Sequence, residues 1–268
     1  MRHVVMFSGG IGSYIAAKRT AAEHGRESTT LLFTDVAGTD PGPHDGEDLT
    51  TYDFIRDAAL HLGVELVTIN DGRSIWDVFD ENRWLGNSRV AQCSRELKQK
   101  PARGWLDANA DPATTTVVIG IDWTETHRRP AVENAYQPYR VAFPLCDRPY
   151  LDKQQMLDEA RADSLTIPRL YDLGFAHNNC GGGCVKAGQA QWKRLLDVMP
   201  ERFAYWEANE NRMREQLGDV AMVSEQVRGE RRPLPLTVIR ERVESQPSLI
   251  DMADVGGCGC FVDAEVLG

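Results

Sequence analysis

Two groups of residues in this sequence have the types and spacing to do chemistry. The first is the glycine-rich stretch SGGIGS at residues 8–13, which follows the apolar run RHVVMF and precedes the helix-like run YIAAKRTAAEHG. Glycines allow backbone N–H groups to approach an anion closely, and the start of a following helix adds partial positive charge. The stretch is therefore a candidate phosphate loop, with a plain tight turn as the alternative. Its candidate contacts are Ser8, Gly9, Gly10, Gly12 and Ser13.

The second group consists of cysteines set between glycines, in NNCGGGC and GGCGC. Thiolates two to four residues apart on glycine loops can converge on one metal, either zinc in a closed four-thiolate site or an iron–sulfur cluster. Four buried structural cysteines are the alternative. Another cysteine, Cys146, stands apart from glycines and is expected in the core. The candidate ligands of this second group are Cys180, Cys184, Cys258 and Cys260.

Strands and helices must alternate to position such a phosphate loop, and the first half of the chain shows this alternation. HVVMF, STTLLFTD, VELVTIN and TTTVVIGID predict strands, and helices are predicted at 13–24 and in GEDLTTYDFIRDAALHLG. The pattern predicts an α/β fold with a Rossmann-like parallel sheet and helices on both faces. Two of the strands end in an acid, Asp35 and Asp122. Because ligands bind beyond the carboxyl ends of such strands, we expect the loop and both acids around one crevice.

The second half of the chain changes character. It contains helical stretches, the cysteine-glycine loops and a charged, proline-punctuated connector, VRGERRPLPL. We therefore predict a nucleotide-binding domain over 1–145 and a helical, cysteine-rich metal-binding region packed on it over 146–268.

Four cations close to predicted strand or helix ends are candidate anion ligands. GIDWTETHRRP places Arg128 and Arg129 after the fourth strand, and CSRELKQK places Arg95 and Lys98 three apart, on one face of a helix. Guanidinium groups bind phosphate and sulfate well, and a solvated charged loop is the alternative.

Composition limits the class of protein. The net charge of −10 argues against an extended DNA footprint, although a local pocket for one anion is compatible with it. No apolar run approaches the roughly 20 residues of a membrane span, and no signal peptide is recognisable. We expect a cytoplasmic protein, in which close cysteine pairs are metal ligands or redox thiols before disulfides.

SGGIGS resembles the SGGxDS loop of the PP-loop ATP pyrophosphatases, in the adenine nucleotide α-hydrolase superfamily. The resemblance implies that ATP binds here through its pyrophosphate end and is cut between the α and β phosphates, often leaving an adenylylated substrate. The family's acid, which in many members helps to place Mg²⁺, is Gly12 in this chain. Whether Mg²⁺ is a cofactor of this chain therefore stays open.

The segments LLFTDVAGTDPGPHDGEDLTTYDFI and PRLYDLGFAHNNCGGGC resemble phosphoadenylyl-sulfate reductase-like proteins, and short phage and mobile-element members look especially similar. The resemblance implies that Asp35 meets the nucleotide and acts in catalysis with Arg128. It also implies a 4Fe–4S cluster on Cys93, Cys180, Cys184 and one of the pair Cys258 and Cys260, whose other thiol carries sulfur or acts in redox chemistry.

Three functions follow from these resemblances. The first is activation of a small-molecule or nucleotide substrate by adenylylation, followed by cluster-dependent sulfur transfer with a sulfur donor protein. The second is reduction of adenylyl sulfate or phosphoadenylyl sulfate, although the chain lacks the Glu-Cys-Gly-Leu-His type ending of those reductases. The third is a non-catalytic iron–sulfur or zinc module in a phage or defence assembly.

Overall fold

The computed structural model describes residues 1–86 and 91–256. Five parallel strands form the main sheet in the order β3-β2-β1-β4-β5. Their bounds are Arg2–Met6 (β1), Thr29–Asp35 (β2), Glu65–Asn70 (β3), Thr115–Val118 (β4) and Arg140–Ala142 (β5). The predicted α/β class with a parallel sheet is confirmed, and the short edge strand β5 is an addition to it.

Helices cover both faces of the sheet and continue into the second half of the chain. The first six are Ile11–His24 (α1), Leu49–Leu62 (α2), Ile75–Asn82 (α3), Gln92–Ser94 (α4), Lys100–Asn109 (α5) and Arg129–Ala135 (α6). The remaining five are Lys153–Ala162 (α7), Arg169–Asp172 (α8), Gln189–Val198 (α9), Pro200–Leu217 (α10) and Leu236–Ser245 (α11). Among the described residues, no helix is long and apolar enough to cross a membrane.

Alternation along β1 divides the core between the two faces of the sheet. Val5 and Phe7 pack with α1, α2 and α7, whereas Val4 and Met6 pack with α5 and α6. Helix α7, from the second half of the chain, therefore shares a core with the first half. The proposed division at residue 145 does not coincide with a break in this core.

A third core joins α3 to the second half of the chain. The aromatic rings of Trp76, Trp192, Phe203 and Trp206 pack there against one another, next to the cysteine loop. The NNCGGGC segment therefore packs against this hydrophobic core, close to the end of β2.

The predicted connector VRGERRPLPL is instead part of a β-hairpin, and this is a correction. Strands Val223–Val227 (β6) and Glu230–Leu234 (β7) pair antiparallel. The two residues between them, Arg228 and Gly229, have φ of 52° and 86°. Positive φ at both central positions is the geometry of a tight hairpin turn, which matches the twist of the strands.

Candidate functional site

A cleft of about 350 Å³ opens beyond the carboxyl ends of β1 and β4. This is the point where the strand order reverses, and open α/β sheets bind ligands at such a point. The phosphate-loop residues that line it are Ser8, Gly10, Gly12 and Ser13. Its polar and charged walls elsewhere are Asp122, Glu125, Arg128, Lys153, Tyr171, His177, Asn178 and Asn179.

The first turn of α1 forms the floor of the cleft. The helix begins at Ile11, and its first-turn amides have no acceptor within the helix, so they point towards the cleft end of the molecule. The Ser8 hydroxyl accepts a hydrogen bond from the Gly10 amide at 3.4 Å, and the Ser13 hydroxyl donates to the Gly10 carbonyl at 2.7 Å. These bonds hold both serines beside the helix start, an arrangement suited to an anion.

Close packing explains two glycines at the cleft, Gly9 in the loop and Gly120 after β4. Gly9 has φ +74°, and a Cβ on it would lie 2.8 Å from the Ile55 Cδ1 atom. A Cβ on Gly120, just after β4, would lie 3.1 Å from the Ser13 amide nitrogen. Gly9 thus permits the turn, whereas Gly120 allows β4 to approach the start of α1 and ends the strand before Asp122.

Asn178 ties the cysteine loop to the phosphate loop. Its side-chain amide donates to the Gly9 carbonyl at 2.9 Å and to the Thr51 hydroxyl at 3.2 Å. Its side-chain oxygen accepts from the Tyr171 hydroxyl at 3.1 Å, and that hydroxyl accepts from the Ile11 amide at 3.0 Å. Asn178 is only 1% exposed, so this network is fixed and shielded from water.

Lys153 and His177 also line the cleft. The Lys153 ammonium donates to the Ala176 carbonyl at 3.1 Å. Burial, and then the charges of Lys153 and Lys98, lower the pKa of His177 to about 4. The imidazole is therefore neutral at pH 7, and its Nδ1 atom is buried without a hydrogen-bond partner among the described residues.

The structure separates Asp35 from this cleft. Its carboxylate accepts from the Tyr52 hydroxyl at 2.7 Å and from the Ala37 amide at 3.1 Å, and so organises the loop after β2. Asp35 lines a different cavity, of about 760 Å³, together with Glu47 and the start of α10. Only Asp122 of the two strand-end acids lies with SGGIGS, where it also caps the next helical turn by accepting from the Thr124 amide.

The four candidate cations have different surroundings. Arg128 lines the cleft and pairs with Glu125, whereas the Arg129 guanidinium carbon lies 4.9 Å from the centre of the Phe143 ring. Lys98 is 3% exposed, lies 3.2 Å from a Glu47 carboxylate oxygen and borders the thiol cavity described below.

Arg95 and Lys98 differ in burial: the Arg95 side chain is 46% exposed, whereas the Lys98 side chain is 4% exposed. The stretch Arg95–Gln99 that carries them is π-helical. A shared anion patch of these two cations stays a prediction.

Three of the predicted metal ligands, Cys93, Cys180 and Cys184, line one small cavity with Lys98 and Trp206. A hydrogen bond between the Cys180 and Cys184 side chains, together with burial, raises the pKa of the Cys180 thiol well above its ordinary value. Within the described ranges, no three His, Cys, Asp or Glu side chains are spaced to hold a metal ion. Cys258 and Cys260 lie outside the described residues.

The loop that carries these thiols has an unusual backbone. Cys180, Gly181 and Gly182 have φ of 51°, 59° and 90° in succession. The Arg202 guanidinium lies against the Gly181 Cα, and the Trp206 indole lies against Gly183. Glycines are therefore required both by the left-handed backbone and by the close approach of two large side chains.

Cys146 lies apart from the other thiols. Its Sγ donates to the Ile121 carbonyl at 3.5 Å, and burial raises its pKa. It packs against the core on the α5 and α6 face of the sheet, as expected for a structural cysteine.

Sequence reasoning missed several polar residues of the cleft, namely Lys153, Tyr171, His177, Asn178 and Asn179. Four of them lie in PRLYDLGFAHNNCGGGC, a segment in which the sequence predicted a role for the cysteines alone. The polar run HNN immediately before the first cysteine was the available signal.

Together the fold and the cleft define a doubly wound α/β protein with a glycine-rich helix start at its switch point. No family model matches the chain, and no curated protein matches it in sequence. Among solved structures it is similar to a phosphoadenylyl-sulfate (PAPS) reductase from Candida auris in a phosphate complex, at 16% identity and a TM-score of 0.41, over 65% of this chain and 77% of that one. It is also similar to an NMN synthetase from Francisella tularensis, at 16% identity and a TM-score of 0.40, over 80% of this chain and 86% of that one.

Proposed function

We propose that the chain is a nucleotide-activating enzyme that binds ATP in the cleft and transfers AMP to an acceptor with release of pyrophosphate. The observation that carries this proposal is the placement of the α1 start, Ser8 and Ser13 in a cleft at the switch point of the sheet that Arg128 and Lys153 also line. Helix-start amides and cations in one cleft suit a polyphosphate.

In the proposed reaction an acceptor oxygen attacks the α-phosphorus, and the bond from that phosphorus to the bridging oxygen of pyrophosphate breaks. The Gly12 and Ser13 amides in the first turn of α1 and the Ser8 hydroxyl stabilise the charge that grows on the leaving group. Lys153 and Arg128 hold the polyphosphate in line. The neutral imidazole of His177 lines the same cleft and adds no positive charge to it.

We further propose that the thiol cavity holds an iron–sulfur cluster, with zinc as the alternative. Two observations support this proposal: three buried thiols line one cavity, and the indole N–H of Trp206 is buried there without a partner among the described residues. Cys93, Cys180 and Cys184 would hold the cluster, and the fourth ligand would come from Cys258 or Cys260. A bound cluster supplies sulfide or electrons to an activated acceptor.

The test of the ATP step is a product assay on the full chain. We expect ATP to bind and to yield AMP and pyrophosphate when an acceptor is present, and inorganic pyrophosphate to compete with ATP for the cleft. Formation of ADP and phosphate would contradict the proposed bond cleavage. Consumption of adenylyl sulfate and a thiol to give sulfite, without need for ATP, would replace the proposal with the reductase function.

The test of the cluster is anaerobic purification followed by iron, sulfide and zinc analysis. We expect a brown protein that contains iron and inorganic sulfide, and less of both in Cys180→Ser and Cys184→Ser variants. A colourless protein that contains one zinc ion would overturn the cluster and leave the ATP step untouched.

Gly12→Asp is expected to make ATP binding depend on Mg²⁺. An added Cβ at Gly12 would meet only the Gly120 carbonyl oxygen at 3.4 Å and the Leu145 Cδ1 at 3.7 Å, so the variant should fold normally. Its carboxylate would add a negative charge beside the phosphates in the cleft, and a repulsion of about 1.4 kcal/mol or more weakens binding by about tenfold or more. Calorimetry with EDTA should show this loss, and Mg²⁺ should reverse it. Gly12→Asn is the control for size, and an equal loss in that variant would assign the effect to bulk.

A further inference from the structure

Two large aromatic side chains stand together on the surface next to the cleft. Trp123 is 44% exposed and Tyr150 is 48% exposed, and their ring centroids are 5.6 Å apart at an angle of 33°. A single exposed aromatic residue is ordinary on a soluble protein, but an adjacent pair forms an apolar platform that marks a binding surface.

The platform is held in a fixed geometry. The Trp123 indole N–H donates to the Leu151 carbonyl at 3.3 Å, which sets the plane of that ring. The Arg148 guanidinium lies 5.7 Å from the centre of the Tyr150 ring and supports it from one side. A ligand that stacks here would therefore cost little ordering of the protein.

A single arginine anchors the segment that carries Tyr150. The Arg19 guanidinium, on α1, donates to the carbonyls of Pro144 at 2.8 Å, Asp147 at 3.1 Å and Pro149 at 2.5 Å. Because Arg19 belongs to the helix whose first turn lines the cleft, these bonds connect the segment of Tyr150 to that helix.

Each aromatic residue of the platform lies close in sequence to a residue that lines the cleft. Trp123 directly follows Asp122, and Tyr150 precedes Lys153 by three residues, and both of these charged residues line the cleft. The platform is therefore an exposed aromatic pair that lies close in the chain to two charged residues of the cleft.

We propose that Trp123 and Tyr150 form the stacking site for the base of a nucleoside phosphate whose phosphates lie in the cleft. The proposal rests on the proposed function for the position of the phosphates, and it adds the recognition of the base. Base stacking on aromatic rings contributes about 1–3 kcal/mol per base and tolerates different bases.

The charge of the platform's surroundings favours a single nucleotide over a long strand. Segments 122–129 and 147–153 carry equal numbers of acidic and basic residues, which are Asp122, Glu125, Asp147 and Asp152 against Arg128, Arg129, Arg148 and Lys153. A groove for a nucleic-acid strand needs a basic track, and these two segments do not provide one.

The test measures binding of three probes to the full chain: ATP, thymidine 5′-phosphate and inorganic tripolyphosphate. Trp123→Ala and Tyr150→Ala are compared with Trp84→Ala, a tryptophan that is also 44% exposed and does not line the cleft. We expect the first two variants to weaken at least one base-bearing probe by about 5-fold to 100-fold, as the loss of one stacked base requires. Tripolyphosphate binding and the Trp84→Ala variant should behave as the wild type does.

The probes distinguish the two sources of the base. A loss for ATP alone assigns the platform to the activating nucleotide, whereas a loss for thymidine 5′-phosphate alone assigns it to a nucleotide acceptor. Wild-type affinities of both base-bearing probes in both variants would overturn the proposal, as would a wild type that binds tripolyphosphate and neither base-bearing probe. If ATP binding depends on the base but no AMP is formed, the platform proposal stands and the proposed reaction is wrong.

Discussion

Replacement of Gly181 by alanine is expected to lower the free energy of unfolding by about 3 kcal/mol or more. Gly181 has φ +59°, and a Cβ on it would lie 2.0 Å from the Arg202 guanidinium carbon. A left-handed backbone at a non-glycine residue costs about 1 kcal/mol, and overpacking in a filled interior adds about 1–3 kcal/mol.

Arg202 has little freedom to relieve this clash. It is only 4% exposed, and its Nη2 atom donates to the Gly46 carbonyl at 2.8 Å and to the Cys180 carbonyl at 3.4 Å. Burial already lowers its pKa. Movement of the guanidinium would leave buried carbonyls without donors, and each such loss costs about 1–3 kcal/mol.

Gly63→Ala is the matched control, because it has the same backbone conformation without the clash. Gly63 has φ +65° at the end of α2, and the nearest atom to its added Cβ is the Nη1 of the exposed Arg26 at 3.3 Å. We expect a loss of about 1 kcal/mol there, from backbone strain alone. Urea unfolding of both variants gives the comparison. Equal losses would show that Arg202 moves freely and that the loop is less tightly packed than the structure indicates.

The part of the fold that follows local patterns was predictable from the sequence. Apolar runs predicted β1 to β4, and the glycine-rich stretch predicted the start of α1, because each depends on residues adjacent in the chain. The sequence also placed Cys93, Cys180 and Cys184 together through a family resemblance, and they do line one cavity. Their role as metal ligands stays a prediction.

The rest depends on contacts between distant residues. Asp35 stands at a strand end as expected, but Tyr52 and the Ala37 amide hold it towards another cavity. The pairing of Lys98 with Glu47 joins two positions 51 residues apart. Neither partner is visible in a local pattern, so the sequence identified charged residues without showing which face the cleft.

Asn178 is the clearest case of a site residue whose bonding partners lie far away in the chain, and its replacement by alanine should weaken ATP binding by about tenfold or more. Its side chain bonds the Gly9 carbonyl and the Thr51 hydroxyl, 169 and 127 residues away. Without it the Gly9 carbonyl is left buried and unpaired, which costs about 1–3 kcal/mol. The turn before α1 then loses the contact that fixes the helix start against the cleft. Calorimetric titration with ATP, beside urea unfolding, measures both effects.

Two further variants separate a positioning role from a loss of stability. Asn178→Asp keeps the shape but turns the donor into a carboxylate facing the Gly9 carbonyl oxygen, so we expect it to bind ATP no better than Asn178→Ala. Asn109→Ala removes an exposed side chain whose amide donates to the Trp105 carbonyl one turn earlier in α5, and it should change neither ATP affinity nor stability by more than about 0.5 kcal/mol. If Asn178→Ala unfolds more easily but binds ATP with unchanged affinity, the link between the two loops supports the fold alone. A loss of affinity that persists under conditions where the variant is fully folded means that the cysteine loop helps to set the geometry of the phosphate loop.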